Sequence, residues 1–181
     1  THDEPEILGR YDLTFKDDEA KNKRAKKMRK DMLFIEKCIR LVKPGGRIAI
    51  VLPQGNLNNP TSEFLRNFIF DHCRLLGCVG LRENTFRPFT PTKTSVVLLQ
   101  KWKSDNKKSD NYNIFMADSE KPGKDNSGNY IYLKDKDGNY IDEKKQIIDV
   151  LKTPRVVDHD LDQIIIDFEN FKKKENISFN E

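Results

Sequence analysis

Few side chains in this sequence stand at spacings that chemistry needs. His2, His72 and His159 are scattered and form no zinc-ligand pattern. Cys38, Cys73 and Cys78 sit among apolar neighbours with no Cys-x-x-Cys pair, which predicts buried free thiols in a reducing cytoplasm. Asp135-Lys136-Asp137-Gly138-Asn139 is a calcium loop only in part. With Gly138 as that loop's glycine, Leu133 would be the first ligand and Lys144 the closing one, and neither chelates. No phosphate-cradling glycine loop and no Ser-His-acid set at an elbow is present. What remains suits contact rather than bond-making. Lys21, Lys23, Arg24, Lys26, Lys27, Arg29 and Lys30 form a basic run. Such a run is either a solvated segment or a strip that meets phosphates, because clustered cations release counterions from DNA. Pro53, Gln54 and Asn56 follow an apolar strand at its carboxyl end, where open α/β sheets place ligands. Gln54 is the strongest polar candidate there.

These positions need elements to hold them. Apolar residues Met32, Ile35, Ile39 and Val42, widened by Phe34, Cys38 and Leu41, predict a helix over 31–42. Glu36, Lys37 and Arg40 are expected outside, with Glu36 and Arg40 an i,i+4 pair. Pro44-Gly45-Gly46 stops that helix. Ile48 to Leu52 shows no polar alternation, so the pattern predicts an inner strand of a parallel sheet covered on both faces. Asn59-Pro60 is an N-cap followed by a helix-starting proline, and Phe64, Leu65, Phe68 and Ile69 form the next helical stripe. Strands follow at 75–81 and 95–100, joined by a loop, 82–94, with no hydrophobic period. A loop of that length between buried strands is often functional.

Beyond Trp102 the composition turns polar. A linker covers 103–111, Ile114-Phe115-Met116 suggests an edge strand, and Asp137-Gly138 between Tyr130–Leu133 and Tyr140-Ile141 signals a hairpin. A last helix is expected over 160–174, with Leu161, Ile164, Ile165, Phe168 and Phe171 on its apolar side. No internal repeat is expected. The sequence therefore divides into a basic segment (1–30), an α/β segment (31–102) and an extension with linker, hairpin and helix (103–181). Its 181 residues are 36% hydrophobic and 34% charged, which suits one modest core. The net charge of +4, from 33 basic and 29 acidic residues, permits nucleic-acid binding without requiring it. No apolar run spans a bilayer and no signal-peptide pattern is seen, so neither membrane nor secretory roles are expected. The start at Thr1 and the polar run to Glu181 suggest a segment of a longer protein.

One set of residues carries a family resemblance. Lys43-Pro44-Gly45-Gly46-Arg47 resembles the helix-to-strand turn of many S-adenosylmethionine-dependent methyltransferases. Joined to Phe34-Ile35-Glu36-Lys37-Cys38, Leu52-Pro53-Gln54-Gly55, Thr85-Phe86-Arg87-Pro88 and Thr92-Lys93-Thr94-Ser95 through Lys101, it resembles the modification subunit of type I restriction-modification systems. These are adenine-N6 DNA methyltransferases. The match in order and spacing runs from Asp31 to Trp102. Pro91 departs from it, standing where a glycine is expected.

The resemblance implies the late half of a Rossmann-like methyltransferase sheet, with a polar hairpin and helix appended. The strand 48–52 would lie inside, and the strands 75–81 and 95–100 would be the last pair, one of them antiparallel. It implies S-adenosylmethionine as cofactor of the parent protein and double-stranded DNA as substrate. It also implies assembly with a specificity subunit and a restriction subunit. The loop after the second strand would lie near a flipped base, with Phe86 or Phe89 lining its pocket. Lys93 would meet a phosphate, Thr92 and Thr94 would add hydroxyl donors, and Lys26 and Lys27 are further backbone candidates. The family's Asn-Pro-Pro-aromatic motif and its Gly-x-Gly cofactor loop are both missing, and Asn59-Pro60-Thr61 does not replace the former. Both are expected upstream of Thr1. This segment alone is thus expected neither to hold the cofactor tightly nor to transfer methyl groups. Two other readings stand beside this one: a non-catalytic assembly module that uses the half-sheet and the last helix, and part of a small-molecule methyltransferase; an exposed sheet edge is also a candidate for self-association.

Overall fold

The computed structural model describes residues 4–14, 27–103 and 111–177. It is a mixed α/β structure with one four-stranded sheet, in the order β1-β3-β2-β4, where β1 is Arg47–Pro53, β2 Cys73–Leu81, β3 Thr94–Lys101 and β4 Phe115–Asp118. The chain forms two compact units, one of residues 1–78 and 96–114, the other of 79–95 and 115–181.

The first unit holds the hydrophobic core. Helices α1 (Pro5–Leu8), α2 (Lys30–Leu41), α3 (Gly55–Asn58) and α4 (Glu63–His72) contribute to it together with the strands. Ile35, Ile39, Leu52, Leu65 and Leu99 are among its largest enclosed apolar side chains, and burying each stabilises the fold by about 1.5–3 kcal/mol. Between α3 and α4 the Asn59 side chain accepts the Thr61 N–H at 3.0 Å and opens a short 3-10 turn, Pro60–Ser62, before the helix proper.

Helix α2 corrects the helical-face expectation. Glu36 is completely buried, whereas Phe34 is 57% and Leu41 77% exposed. The reason lies in the turn Asp12–Thr14, whose first N–H groups have no partner within the turn. Glu36 supplies two acceptors: Asp12 N–H donates to Oε1 and Leu13 N–H to Oε2, each at 2.9 Å. Arg40 closes the arrangement from the exposed side, pairing with Glu36 and Asp12 and donating to Arg10 O.

The Lys43–Arg47 turn has a clear physical basis. Gly45 takes φ +78°, the left-handed region that favours glycine, and a Cβ on Gly46 would lie 2.6 Å from Val42 Cγ2 and 2.8 Å from Lys43 O. Gly45 N–H donates to Lys101 O and Lys101 N–H to Gly46 O. The start of β1 thus meets the end of β3, and the two strands run antiparallel. Trp102 N–H donates to His72 O, so the end of β3 likewise meets the start of β2. The Lys101 ammonium caps α2 by donating to Ile39 O and Val42 O.

Among the described residues, strand β1 lies at one edge of the four-stranded sheet rather than inside it. Ile50 and Leu52 are buried while Ala49 and Val51 are exposed. An unbroken apolar run shows that both faces suit burial, and among the described residues one face is covered. The cysteines are free thiols. Burial pushes the Cys73 thiol up to about 11 against the opposing charge of Lys101.

The second unit is built differently. Phe115 of β4 packs against Phe168 and Phe171 of α5 (Leu161–Lys174), with ring centroids 5.2 and 5.7 Å away. Ile165, expected on the packed side, is 58% exposed, and Ile166 is 53% exposed. The Asp160 carboxylate accepts from Ser119 Oγ and from Glu120 and Lys121 N–H, which ties the end of β4 to the start of α5.

Between them runs an internal repeat, contrary to expectation. Lys124-Asp125-Asn126-Ser127-Gly128-Asn129-Tyr130-Ile131 and Lys134-Asp135-Lys136-Asp137-Gly138-Asn139-Tyr140-Ile141 share Lys-Asp-x-x-Gly-Asn-Tyr-Ile and fold alike. In each, the Asp carboxylate accepts N–H groups of its own turn and the Asn side-chain amide. The bridges Lys124–Tyr130 and Lys134–Tyr140 close the two turns, and Asp142 organises a third in the same manner. The Asp137-Gly138 hairpin is therefore one rung of a ladder. A unit this short falls below the periods that usually reveal repeat architectures.

Candidate functional site

The expected contact residues fall in two groups. Pro53, Gln54 and Asn56 belong to the first unit, and Phe86, Phe89, Thr92, Lys93 and Thr94 to the second. Lys27 is exposed, and Lys26 lies outside the described residues.

At the carboxyl end of β1 the chain turns directly into α3. Gln54 is half-buried and its carbonyl accepts from Leu57 and Asn58 N–H. Asn56 is fully enclosed. Its Nδ2 donates to Asp31 Oδ2 at 2.9 Å, while its Oδ1 has no hydrogen-bond partner. Burial pushes the Asp31 carboxyl up, but hydrogen bonds from Asn56 and Arg29 and the charge of Arg29 outweigh it and hold the group below its ordinary value. This arrangement ties α3 to the first turn of α2. It leaves Asn56 Oδ1 without a partner, and a Cβ on Gly55 would meet open space. Among the described residues, no group of acidic, histidine or cysteine side chains is arranged to hold a metal, and no helix is long and apolar enough to cross a membrane.

Loop 82–93 winds through successive tight turns: Thr85 N–H donates to Arg82 O, Arg87 N–H to Asn84 O, and Phe89 and Thr90 N–H to Phe86 O. Phe86 is half-buried, whereas Phe89 is 91% exposed. Thr92 is exposed, with its hydroxyl bonded to that of Thr90, and Lys93 is half-buried. Thr94 is buried at the start of β3. The loop is mounted on the first rung of the ladder. Asn84 Nδ2 donates to Asn126 Oδ1 at 2.8 Å and Lys124 Nζ to Arg87 O at 2.9 Å. Gly128, at φ +92°, allows the contact, since a Cβ there would lie 2.8 Å from Pro88 N.

Three buried polar atoms of this loop region lack hydrogen-bond partners: Thr85 Oγ1, Arg87 Nε and Thr94 Oγ1. A native structure seldom leaves such groups unmet unless a ligand or water completes them. In the sequence, Thr85 and Arg87 carry no contact signal beyond membership of the Thr85-Phe86-Arg87-Pro88 motif.

With this geometry in view, comparisons with known proteins identify relatives. The model of the family described as N-6 DNA Methylase matches residues 10–178. A modification subunit from Vibrio vulnificus, of an enzyme assigned to type I restriction, is 17% identical with a TM-score of 0.52, covering 94% of this chain and 29% of its own. That likeness concerns the fold. The EcoKI M protein, a type I restriction enzyme component, is 26% identical over 50% of this chain and 19% of its own, with a TM-score of 0.41. A Listeria monocytogenes protein assigned to the class I S-adenosylmethionine-dependent methyltransferases is 25% identical over 49% of this chain and 26% of its own, also at 0.41. The chain thus spans less than a third of the length of each of these proteins. No curated protein sequence matches it.

Proposed function

We propose a function from one premise: this chain belongs to the N-6 DNA methylase family, whose model matches it over residues 10–178. That match is the observation that carries the reading. The chain is the later part of the methyltransferase domain of a type I modification subunit, whose parent protein methylates adenine N6 in duplex DNA with S-adenosylmethionine. It works in the cytoplasm with specificity and restriction subunits.

Methyl transfer to an exocyclic amine is an in-line displacement that needs the base extruded and held. Loop 82–93 serves that purpose as the wall on the DNA side. Phe86 stacks on the extruded adenine, Phe89 fills the gap it leaves or borders the pocket, and Lys93 with Thr92 and Thr94 meets the backbone. The unmet Thr85 Oγ1 and Arg87 Nε support a loop completed by a ligand. Pro53, Gln54 and Asn56 shape the substrate side of the sheet. The loop that binds the cofactor and the catalytic Asn-Pro-Pro-aromatic motif lie in chain outside this segment.

The test uses the whole protein that contains this chain, with tritiated S-adenosylmethionine and duplex DNA. Label appears as N6-methyladenine, and Phe86→Ala lowers kcat/KM about tenfold, since one base stacked on an aromatic contributes about 1–3 kcal/mol. Label found only in small molecules overturns the DNA reading. Titration calorimetry on this chain alone shows no micromolar binding of S-adenosylmethionine; such binding would overturn the division of labour. One observation favours a second role. Ile165 and Ile166 are exposed on α5, which suits assembly with another subunit, and light scattering with a specificity subunit checks it.

A further inference from the structure

We infer that the turn ladder of the second unit is a docking strip for the DNA phosphodiester backbone, continuing the loop that mounts on it. This rests on the reading that loop 82–93 faces DNA. The rings of Tyr130, Tyr132 and Tyr140 form a row, with successive centroids 6.3 and 6.2 Å apart. Each carries a cation over its face. Lys124 Nζ lies 5.2 Å from the Tyr130 centroid, Lys134 Nζ 4.7 Å from that of Tyr140, and the Arg155 guanidinium 5.5 Å from Tyr132 and 4.6 Å from Tyr140.

A cation can be ordered by a carboxylate or by an aromatic face. A carboxylate cancels its charge. A ring holds it in place and leaves the charge available. The unit uses both devices. Lys121 pairs with Asp158, Lys152 with Asp149 and Lys172 with Glu169. Among the described residues, Lys124, Lys134 and Arg155 have no ion-pair partner, and Lys134 and Arg155 are exposed. The neighbouring Asp125 and Asp135 carboxylates are turned onto the N–H groups of their own turns, and Asp137 and Glu143 are exposed acids of the ladder. The first rung holds Asn84 and Arg87 of the loop through Asn126 and Lys124. A strip of ordered, unneutralised cations that continues a DNA-facing loop fits phosphates, which position a duplex without reading its sequence.

Fluorescence anisotropy of this chain with a labelled duplex oligonucleotide, across a salt series, tests the strip. The double variant Lys134→Gln/Arg155→Gln weakens binding several-fold. It also flattens the slope of log K against log salt by about 1.8, at roughly 0.9 for each lost phosphate contact. Lys134→Arg/Arg155→Lys restores both, which separates charge from folding, and Lys152→Gln leaves both unchanged. If Lys93→Gln flattens the slope while the ladder double variant does not, the strip is wrong and the DNA-facing loop stands. If neither variant changes binding, both fall.

Discussion

The two units of this chain reach order by different physical means. In the first, Ile35, Ile39, Leu52, Leu65 and Leu99 are enclosed, and the buried Glu36 carboxylate serves the backbone. In the second, α5 has no fully buried residue, and the turn ladder is held by Asp side chains on N–H groups and cations on tyrosine rings. Such interactions are local and exposed, each of modest worth. A core resists change at single atoms, whereas a ladder tolerates change between rungs. The ladder therefore has surface to give to a partner that a core cannot give.

Substitutions that separate these two modes follow, in descending order of effect. Leu65→Ala removes a fully enclosed side chain and destabilises the first unit by about 2–5 kcal/mol, read from urea denaturation. A loss below about 1 kcal/mol would mean that this core is loosely packed. Glu36→Ala strands the Asp12 and Leu13 N–H groups and costs about 2–3 kcal/mol. Hydrogen exchange shows those two amides losing protection while α4 keeps its own. Gly128→Ala places a Cβ against Pro88 at a left-handed φ and costs about 1–3 kcal/mol. The loss appears as faster exchange at Asn84 and Arg87, with the Leu65 region unaffected. If the first unit unfolds with it, the contrast between the units fails.

The smallest effect is one of pH. Hydrogen bonds from Asn129 and Asn139 hold the Asp125 and Asp135 carboxyls below their ordinary value. A depressed folded value means that the unfolded chain binds the proton more readily. The contribution is therefore present above the unfolded value, near pH 4, and is lost as pH falls through the folded one. NMR titration shows the Asn129 and Asn139 side-chain amides shifting below pH 4. Asp135→Ala abolishes the Asn139 shift and leaves that of Asn129.

Much of the architecture was legible because it is written in local rules. Pro44-Gly45-Gly46 had to end a helix and turn the chain, and Asn59-Pro60 had to begin a helical segment. The apolar runs had to be strands. The ladder was legible only in hindsight. Its repeat is short and polar, so it carried the appearance of a loop, and its order comes from Asp and Asn side chains closing their own turns. The exposure of Ile165 and the burial of Glu36 were not legible, since periodicity shows which residues share a face but not what lies opposite.

The same division holds for the candidate site. The motif around Thr85–Pro88 and Thr92–Ser95 was readable from residue order, as was the family it indicates, because a string of residue types survives without coordinates. That Asn56 braces Asp31, that Lys124 holds Arg87, and that Thr85 Oγ1 and Arg87 Nε are left unmet came from the fold alone. By itself the sequence determined the elements, their turns and the family, because these rest on backbone stereochemistry and residue order within short spans. Only the tertiary structure decided which face of each element is covered and which polar groups are satisfied. Those depend on what distant segments bring alongside, and no local pattern encodes it.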